Sequence, residues 1–251
     1  MANIQGIDVS RWQGEIDWNK VAEDGIKFAI LKAGGSDAGF YKDRTFERNY
    51  AGAKAAGLKV GAYYFVGKYC TSSIDGMADA QRFVKLVEGK DFDLPLFIDI
   101  ETTPPVKKKG ATDAVISFCQ VIKDNGYTPG VYASKTSGFA ERLDDSRLTG
   151  IIHWVAQYHT SCTYKGNYTF WQKSSTGKVK GIAGNVDLDE WVSRPLTAAE
   201  PSGKVKKVTK AVVQAVISGK YCNGAERVKK LTEAGYDAKA VQKAVNEALK
   251  K

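Results

Sequence analysis

Leu94-Pro-Leu-Phe-Ile-Asp99-Ile-Glu101 is an apolar run that ends in two acids. Its length and apolar density read as a buried strand, and the acids sit at its C-terminal end. Alternate residues of a strand share a face. Asp99 and Glu101 therefore point one way, and Ile98 and Ile100 the other. Outward from this run the chain repeats the same grammar. Further strands are predicted at 4–9, 28–32, 59–65, 130–133, 151–157, 169–172 and 185–188. Helices are predicted at 17–23, 45–56, 74–88, 111–125 and about 137–143, and Gly57, Gly89 and Gly126 follow three of them. Eight strands with helices confined to the first part predict an α/β fold, an irregular (β/α) barrel whose later crossovers are short or missing. A doubly wound sheet is the rival. Such a sheet carries a Gly-rich phosphate loop after its first strand, and Ser10-Arg-Trp-Gln-Gly14 is not one. Ala33-Gly-Gly-Ser36 lacks the Lys-Ser/Thr of a phosphate loop and reads as a plain βα connection.

In a barrel the C-terminal strand ends form the active-site mouth. Asp8 ends the first strand and Asp187 lies in the last. Closure makes those strands neighbours and brings Asp8 and Asp187 to the mouth beside Asp99 and Glu101. Trp12, Tyr63, Tyr64, Tyr132, Trp154 and Tyr158 are distributed over the same strand ends. Tyr63 and Tyr64 point opposite ways, so only one of them faces the interior. Acids ringed by aromatics suit a carbohydrate cleft, where rings stack on sugar faces and carboxyls cut a glycosidic bond. The blander reading is a surface acid pair at a strand exit, with Asp8 and Asp187 in capping or turn roles.

Of 251 residues, 43% are hydrophobic, enough for a sizeable core. The net charge of +9 is uneven. Residues 196–251 hold 12 Lys and Arg against 5 Asp and Glu, a surplus of +7. Such a tail favours an anionic partner or is merely a solvated helix face. Cys70, Cys119, Cys162 and Cys222 form no CxxC pair and no zinc spacing, and they read as free thiols. Neither metal nor cofactor is expected, and His153 and His159 belong to no Ser/His/Asp grouping. The N-terminus shows no signal peptide and no run spans a membrane, which predicts synthesis in the cytoplasm.

Residues 1–192 read as the barrel domain and 193–204, with two prolines and no periodicity, as a linker. Residues 205–251 read as three short amphipathic helices. Val205, Val208, Val212 and Val216 mark the first. Val228 and Leu231 line the second, capped by Asn223. Val241, Val245 and Leu249 line the third, capped by Asp237.

Six segments together resemble glycoside hydrolase family 25, the Chalaropsis-type lysozymes. They are Gly6-Ile-Asp8-Val-Ser10-Arg-Trp12-Gln13-Gly14, Phe28–Ala33, Gly61–Phe65, Phe97–Glu101, Trp154-Val-Ala-Gln157-Tyr158 and Val186–Asp189. The resemblance implies hydrolysis of the β-1,4 bond between N-acetylmuramic acid and N-acetylglucosamine. It implies Glu101 as general acid, its proton affinity raised by Asp99 and partial burial. Asp99 would stay ionised, steadying positive charge or orienting the substrate acetamide. Asp8 and Asp187 would tune charge, and the aromatics and Gln157 would contact sugar. The tail resembles a three-helix wall-binding repeat of some phage lysozymes, which implies ligand contacts from Gly224, Arg227 and Tyr236. Such repeats usually occur in tandem, so a lone copy raises homo-oligomerisation through the tail. The partner implied is peptidoglycan, with no nucleic acid and no membrane insertion. The alternatives are a non-catalytic wall-binding protein and a glycosidase of chitin-like polymers.

Overall fold

Alternation along the first strand sets the barrel. In β1 (Ile4–Val9), Ile7 and Val9 are buried on the outer face, while Gly6 and Asp8 point inward. A computed structural model describes residues 3–192, 208–221, 224–236 and 238–248. The strands that follow are β2 (Phe28–Gly35), β3 (Tyr41–Lys42), β4 (Lys59–Phe65), β5 (Leu96–Asp99), β6 (Pro129–Ser134), β7 (Ile152–Ala156), β8 (Phe170–Gly177) and β9 (Val186–Trp191). Their order is β1-β9-β8-β7-β6-β5-β4-β2, and a β1–β2 pairing closes the eight into a barrel. In chain order β1, β2, β4, β5, β6, β7 and β8 are parallel, each to the next, as predicted. The last strand departs from the parallel pattern: β9 runs antiparallel to both β8 and β1.

Helices α1 (Trp18–Glu23), α2 (Phe46–Ala55), α3 (Ser73–Val87) and α4 (Lys108–Asp124) pack on the outer face of the early strands. Gly57, Gly89 and Gly126 follow α2, α3 and α4 at positive φ, the left-handed stop that favours glycine. The helix predicted near 137–143 is a wide π-helical turn, Lys135–Arg142, whose first carbonyl neighbour Ser134 accepts the Gly138 N–H on its Oγ at 3.0 Å. The Gly34-Gly35 pair is not a loop, as the sequence suggests, but the end of β2. A Cβ on Gly34 would stand 2.2 Å from the Tyr41 carbonyl oxygen, so the missing side chain is what lets β3 fold back on β2.

Two apolar layers result. Outside the strands, Ile7, Leu31, Val60, Ile98, Phe83 and Phe118 join a core shared with the helices. Inside, Phe28, Ile30, Phe97, Tyr132, Trp154 and Phe170 fill the barrel. Their rings meet edge-on or tilted, with Phe28–Phe170 and Phe97–Phe170 centroids both 5.6 Å apart and Tyr132–Trp154 at 4.5 Å. This aromatic plug seals the lower barrel and leaves the next inward position of each strand, toward its C-terminal end, facing the mouth.

The chain separates into two units, Met1–Pro195 and Leu196–Lys251. In the second, α5 (Lys210–Ile217), α6 (Gly224–Glu233) and α7 (Ala238–Ala248) bury Val212, Val216, Leu231, Val241 and Val245 together. Val228, expected on the inner face of α6, is instead exposed, whereas Leu231 is buried in the core. The linker 193–204, Val205, Leu249, Cys222 and the caps Asn223 and Asp237 lie outside the described residues. Cys70, Cys119 and Cys162 are free thiols. No helix among the described residues is long and apolar enough to cross a membrane.

The plug depends on Gly6, where a Cβ would meet the Phe28 ring at 2.2 Å. Gly6→Val is expected to cost about 1–3 kcal/mol through overpacking. Urea unfolding checks this; an unchanged midpoint would mean that the plug yields freely.

Candidate active site

Period-two alternation delivers the acids. On β5, Phe97 enters the plug and Asp99 sits one layer above it, while Ile98 and Ile100 pack outside. Glu101 follows just past the strand end. On β9, Val186 and Leu188 face outward, leaving Asp187 and Asp189 inward. Register pairs Asp8 with Asp187 and Gly6 with Asp189. The mouth is a cleft of about 250 Å³ lined by Asp8, Asp99, Glu101 and Asp187 together with Trp12, Tyr63, Tyr132, Trp154 and Tyr158. Ser10, Gln13, Lys32, Phe65 and Gln172 complete it.

The aromatics divide by depth. Trp154 is buried at the floor and Tyr63 and Tyr132 are nearly so, whereas Trp12 is 77% exposed and Tyr158 59% exposed at the rim. Trp12 is held out by a tight turn: Ser10 Oγ accepts the Trp12 N–H at 3.3 Å, and the Ser10 N–H donates to Gln13 Oε1 at 2.9 Å. Two predicted contacts fall elsewhere. Tyr64 faces the helices, packed on Phe83 and Phe118, because its strand neighbour Tyr63 takes the inward position. Gln157 is turned to Thr163, donating from Nε2 and accepting the Thr163 N–H, both at 2.9 Å, so it fixes its own loop instead of lining the cleft. In the tail, Arg227 Nη1 donates to Gln242 Oε1 at 3.0 Å and Tyr236 packs on the bundle core, both contacts between helices; Gly224 starts α6.

Gln172 and Lys32 in the cleft, and Asp189 beneath it, matter most among the groups the sequence reading did not single out. Gln172 ties the site together: Tyr132 and Tyr158 hydroxyls donate to its Oε1 at 2.9 and 3.2 Å, and its Nε2 donates to Asp8 Oδ2 at 2.6 Å. No charge or spacing marks it. Asp189 is fully buried and accepts from Trp154 Nε1 at 2.7 Å. The i, i+2 rule applied to Asp187 would have found it. Lys32 ends the apolar run of β2, and its Nζ lies 4.4 Å from the Phe65 ring centroid.

Crowding the carboxyls raises their proton affinity. Burial, then the Asp189 and Asp187 charges, push Asp8 well up, against a Gln172 hydrogen bond that lowers it. Burial, then Glu101, lift Asp187 to about 6. Burial lifts Asp189 to about 8, despite hydrogen bonds from Trp154 and Asp8. Asp99 is raised well above the usual range by burial and then by Glu101, with Lys32 opposing. Glu101, whose side chain still reaches solvent at the rim, is raised by desolvation in the cleft and held back by Arg142 and Lys32. Asp99 is the more deeply buried acid of the pair, and burial works against the ionised form expected of it. Each charge in the pair disfavours ionisation of a close neighbour, and Glu101 is among the causes that raise Asp99. Arg142 is buried, its Nε donating to the Thr103 carbonyl. Among the described residues no group of His, Cys, Asp and Glu is arranged to hold a metal ion.

An acid whose folded-state pKa is raised binds more protons folded than unfolded, so stability falls as pH climbs from the ordinary value to the raised one. For Asp189 that window runs from 3.8 to about 8. Asp189→Asn, which keeps an acceptor for Trp154, should flatten the loss of stability between these limits. Urea midpoints across the window test it, and an unchanged slope would contradict the burial argument.

The family model for glycosyl hydrolases family 25 matches residues 7–182, and the model for the CW_7 repeat matches residues 210–249. An autolytic lysozyme of Clostridium acetobutylicum is 31% identical over 189 residues, spanning 75% of this chain and 56% of that protein. Lysozyme M1 of Streptomyces globisporus is 32% identical over 209 residues, spanning 76% of this chain and 68% of its own length. The chain thus spans little more than half of the first relative and about two thirds of the second. The bacterial lysozyme structure from Streptomyces coelicolor superposes with a TM-score of 0.63 at 28% identity, covering 81% of this chain and all of that one. With the model match running through β1, β5 and most of the barrel between, the chain belongs to family 25 of the glycosyl hydrolases.

Proposed function

We propose that this chain is a peptidoglycan hydrolase that cuts the β-1,4 bond between N-acetylmuramic acid and N-acetylglucosamine. The observation that carries the reading is the Asp99–Glu101 pair at the end of β5, opening into a cleft that also collects Asp8 and Asp187 under exposed Trp12 and Tyr158. Cutting a glycosidic bond needs a carboxylic acid that keeps its proton near neutral pH and a negative group that steadies the oxocarbenium-like transition state. Glu101 is the more exposed acid of the β5 pair and its pKa is raised, so it donates to the leaving oxygen. As that proton leaves, the Asp99–Glu101 pair gains negative charge beside the reacting carbon. Asp99, one layer deeper, then faces the acetamide and orients it. Asp8 is fixed by Gln172, and Asp187 shares its side of the mouth, where both hold sugar hydroxyls. Trp12 and Tyr158 offer ring faces to the sugars.

The CW_7 match and the +7 tail support a second role for residues 205–251, holding the chain on the wall while the barrel cuts. Two modules on one chain raise each other's effective concentration at the polymer. Lysozymes and muramidases among the relatives favour muramic acid over chitin-like substrates.

Digestion of purified peptidoglycan, with mass spectrometry of the new reducing ends, tests the reading. Wild type should leave muramic acid at the reducing end. Glu101→Gln should lower kcat by about 10²–10⁴-fold, the usual share of a general acid. Glucosamine ends, or a fully active variant, would overturn it.

A further inference from the structure

The mouth holds a second concavity beside the cleft. The short turn Arg11–Gln13 is the partition between them. Trp12 and Gln13 line the cleft on one side. On the other, Arg11, Gly14, Glu15, Arg44, Thr45 and Arg48 line a depression of about 330 Å³. All of these residues follow C-terminal strand ends: Arg11 comes after β1, Arg44 after the β3 fold-back, and Arg48 lies in the first turn of α2.

The depression carries an excess of positive charge. Glu15 is its one surface acid and is engaged by Arg48, Nη1 to Oε1 at 3.2 Å, while Arg48 Nη2 donates to the Gly14 carbonyl at 2.6 Å. Asp43, buried below, is occupied by the Arg11 N–H at 3.0 Å, the Thr45 N–H at 2.8 Å and the Thr45 hydroxyl at 2.7 Å. Arg11 is braced by rings instead, its guanidinium 4.8 Å from the Trp12 centroid and 5.9 Å from that of Tyr41. Arg44 is exposed, and among the described residues neither it nor Arg11 has a carboxylate within ion-pair distance. Gathering guanidiniums in one concavity costs repulsion that an entering oxyanion relieves, and arginine's planar fork matches carboxylate and phosphate alike.

We propose that this depression is an anion subsite that takes a charged branch of the polymer lying in the cleft. The inference rests on the peptidoglycan reading above. The chemistry required is an oxyanion within one residue's width of Trp12. Peptidoglycan carries it as stem-peptide carboxylates, and some walls carry it as phosphate of an attached polymer.

The test compares KM on four purified substrates: strands with free peptide carboxylates, strands with those carboxylates amidated, amidated strands that retain wall phosphate, and strands stripped of both. Arg44 is chosen because it is exposed and makes no ion pair. Arg44→Gln should raise KM on the carboxylate strands about two- to fivefold, the scale of an exposed ion pair, and Arg44→Glu about tenfold. The KM ratio between charged and stripped strands should fall toward one, with kcat moving less than KM. If only the phosphate strands show the effect, the subsite stands with phosphate as its ligand. Equal KM for wild type and both variants on every strand, or an equal rise on charged and stripped strands, overturns the subsite while leaving the muramidase reading intact. A wild type that cuts none of the four overturns both.

Discussion

The antiparallel insertion of β9 between β8 and β1 is the constraint on which the site depends. A parallel eighth strand would need a crossover of about a dozen residues or more, and only residues 178–185 separate β8 from β9. By returning antiparallel, β9 closes the barrel with a short connection and sets Asp187 opposite Asp8. The same register puts Asp189 opposite Gly6, beneath the mouth and within reach of Trp154 Nε1. Without that closure Asp99 and Glu101 would be two acids at a strand exit. With it, they line one cleft together with Asp8 and Asp187.

Desolvation then decides the electrostatics. Asp8, Asp99 and Asp189 are buried, with Asp187 and Glu101 beside them, and the Lys32 and Arg142 charges oppose the repulsion at Asp99 and Glu101. The outcome is a set of carboxyls whose proton affinity is raised, the direction a general acid needs. The cost is borne by the aromatic plug and the helices outside it, whose packing keeps the acids crowded where water would otherwise separate them. Gln172 limits that cost at Asp8 by donating one strong hydrogen bond and by accepting two tyrosine hydroxyls in return.

Much of this was legible in residue order. The apolar run into Asp99-Ile-Glu101 and the acids at Asp8 and Asp187 follow from alternation and closure alone. The same rule told that Tyr63 and Tyr64 diverge, and the structure chooses Tyr63. What stayed hidden depends on long-range pairing. Strand direction is not written in the β9 sequence, since an antiparallel strand and a parallel one show the same alternation. Gln172 acquires its role from partners 14, 40 and 164 residues away, which no local pattern reveals. Gln157 sits in a motif that resembles its family's, yet its side chain is spent on Thr163. Val228 shows the complementary limit: helical spacing admits it to the apolar face of α6, yet it is exposed while Leu231 is buried.

The most direct test of the electrostatic account is the pH profile of kcat/KM for wild type and Lys32→Gln. The Lys32 charge lowers the proton affinity of both Glu101 and Asp99. Its removal should therefore carry the alkaline limb, where the general acid loses its proton, to higher pH. A limb that stays in place, or moves to lower pH, would contradict the claim that the Asp99–Glu101 pair is the proton donor.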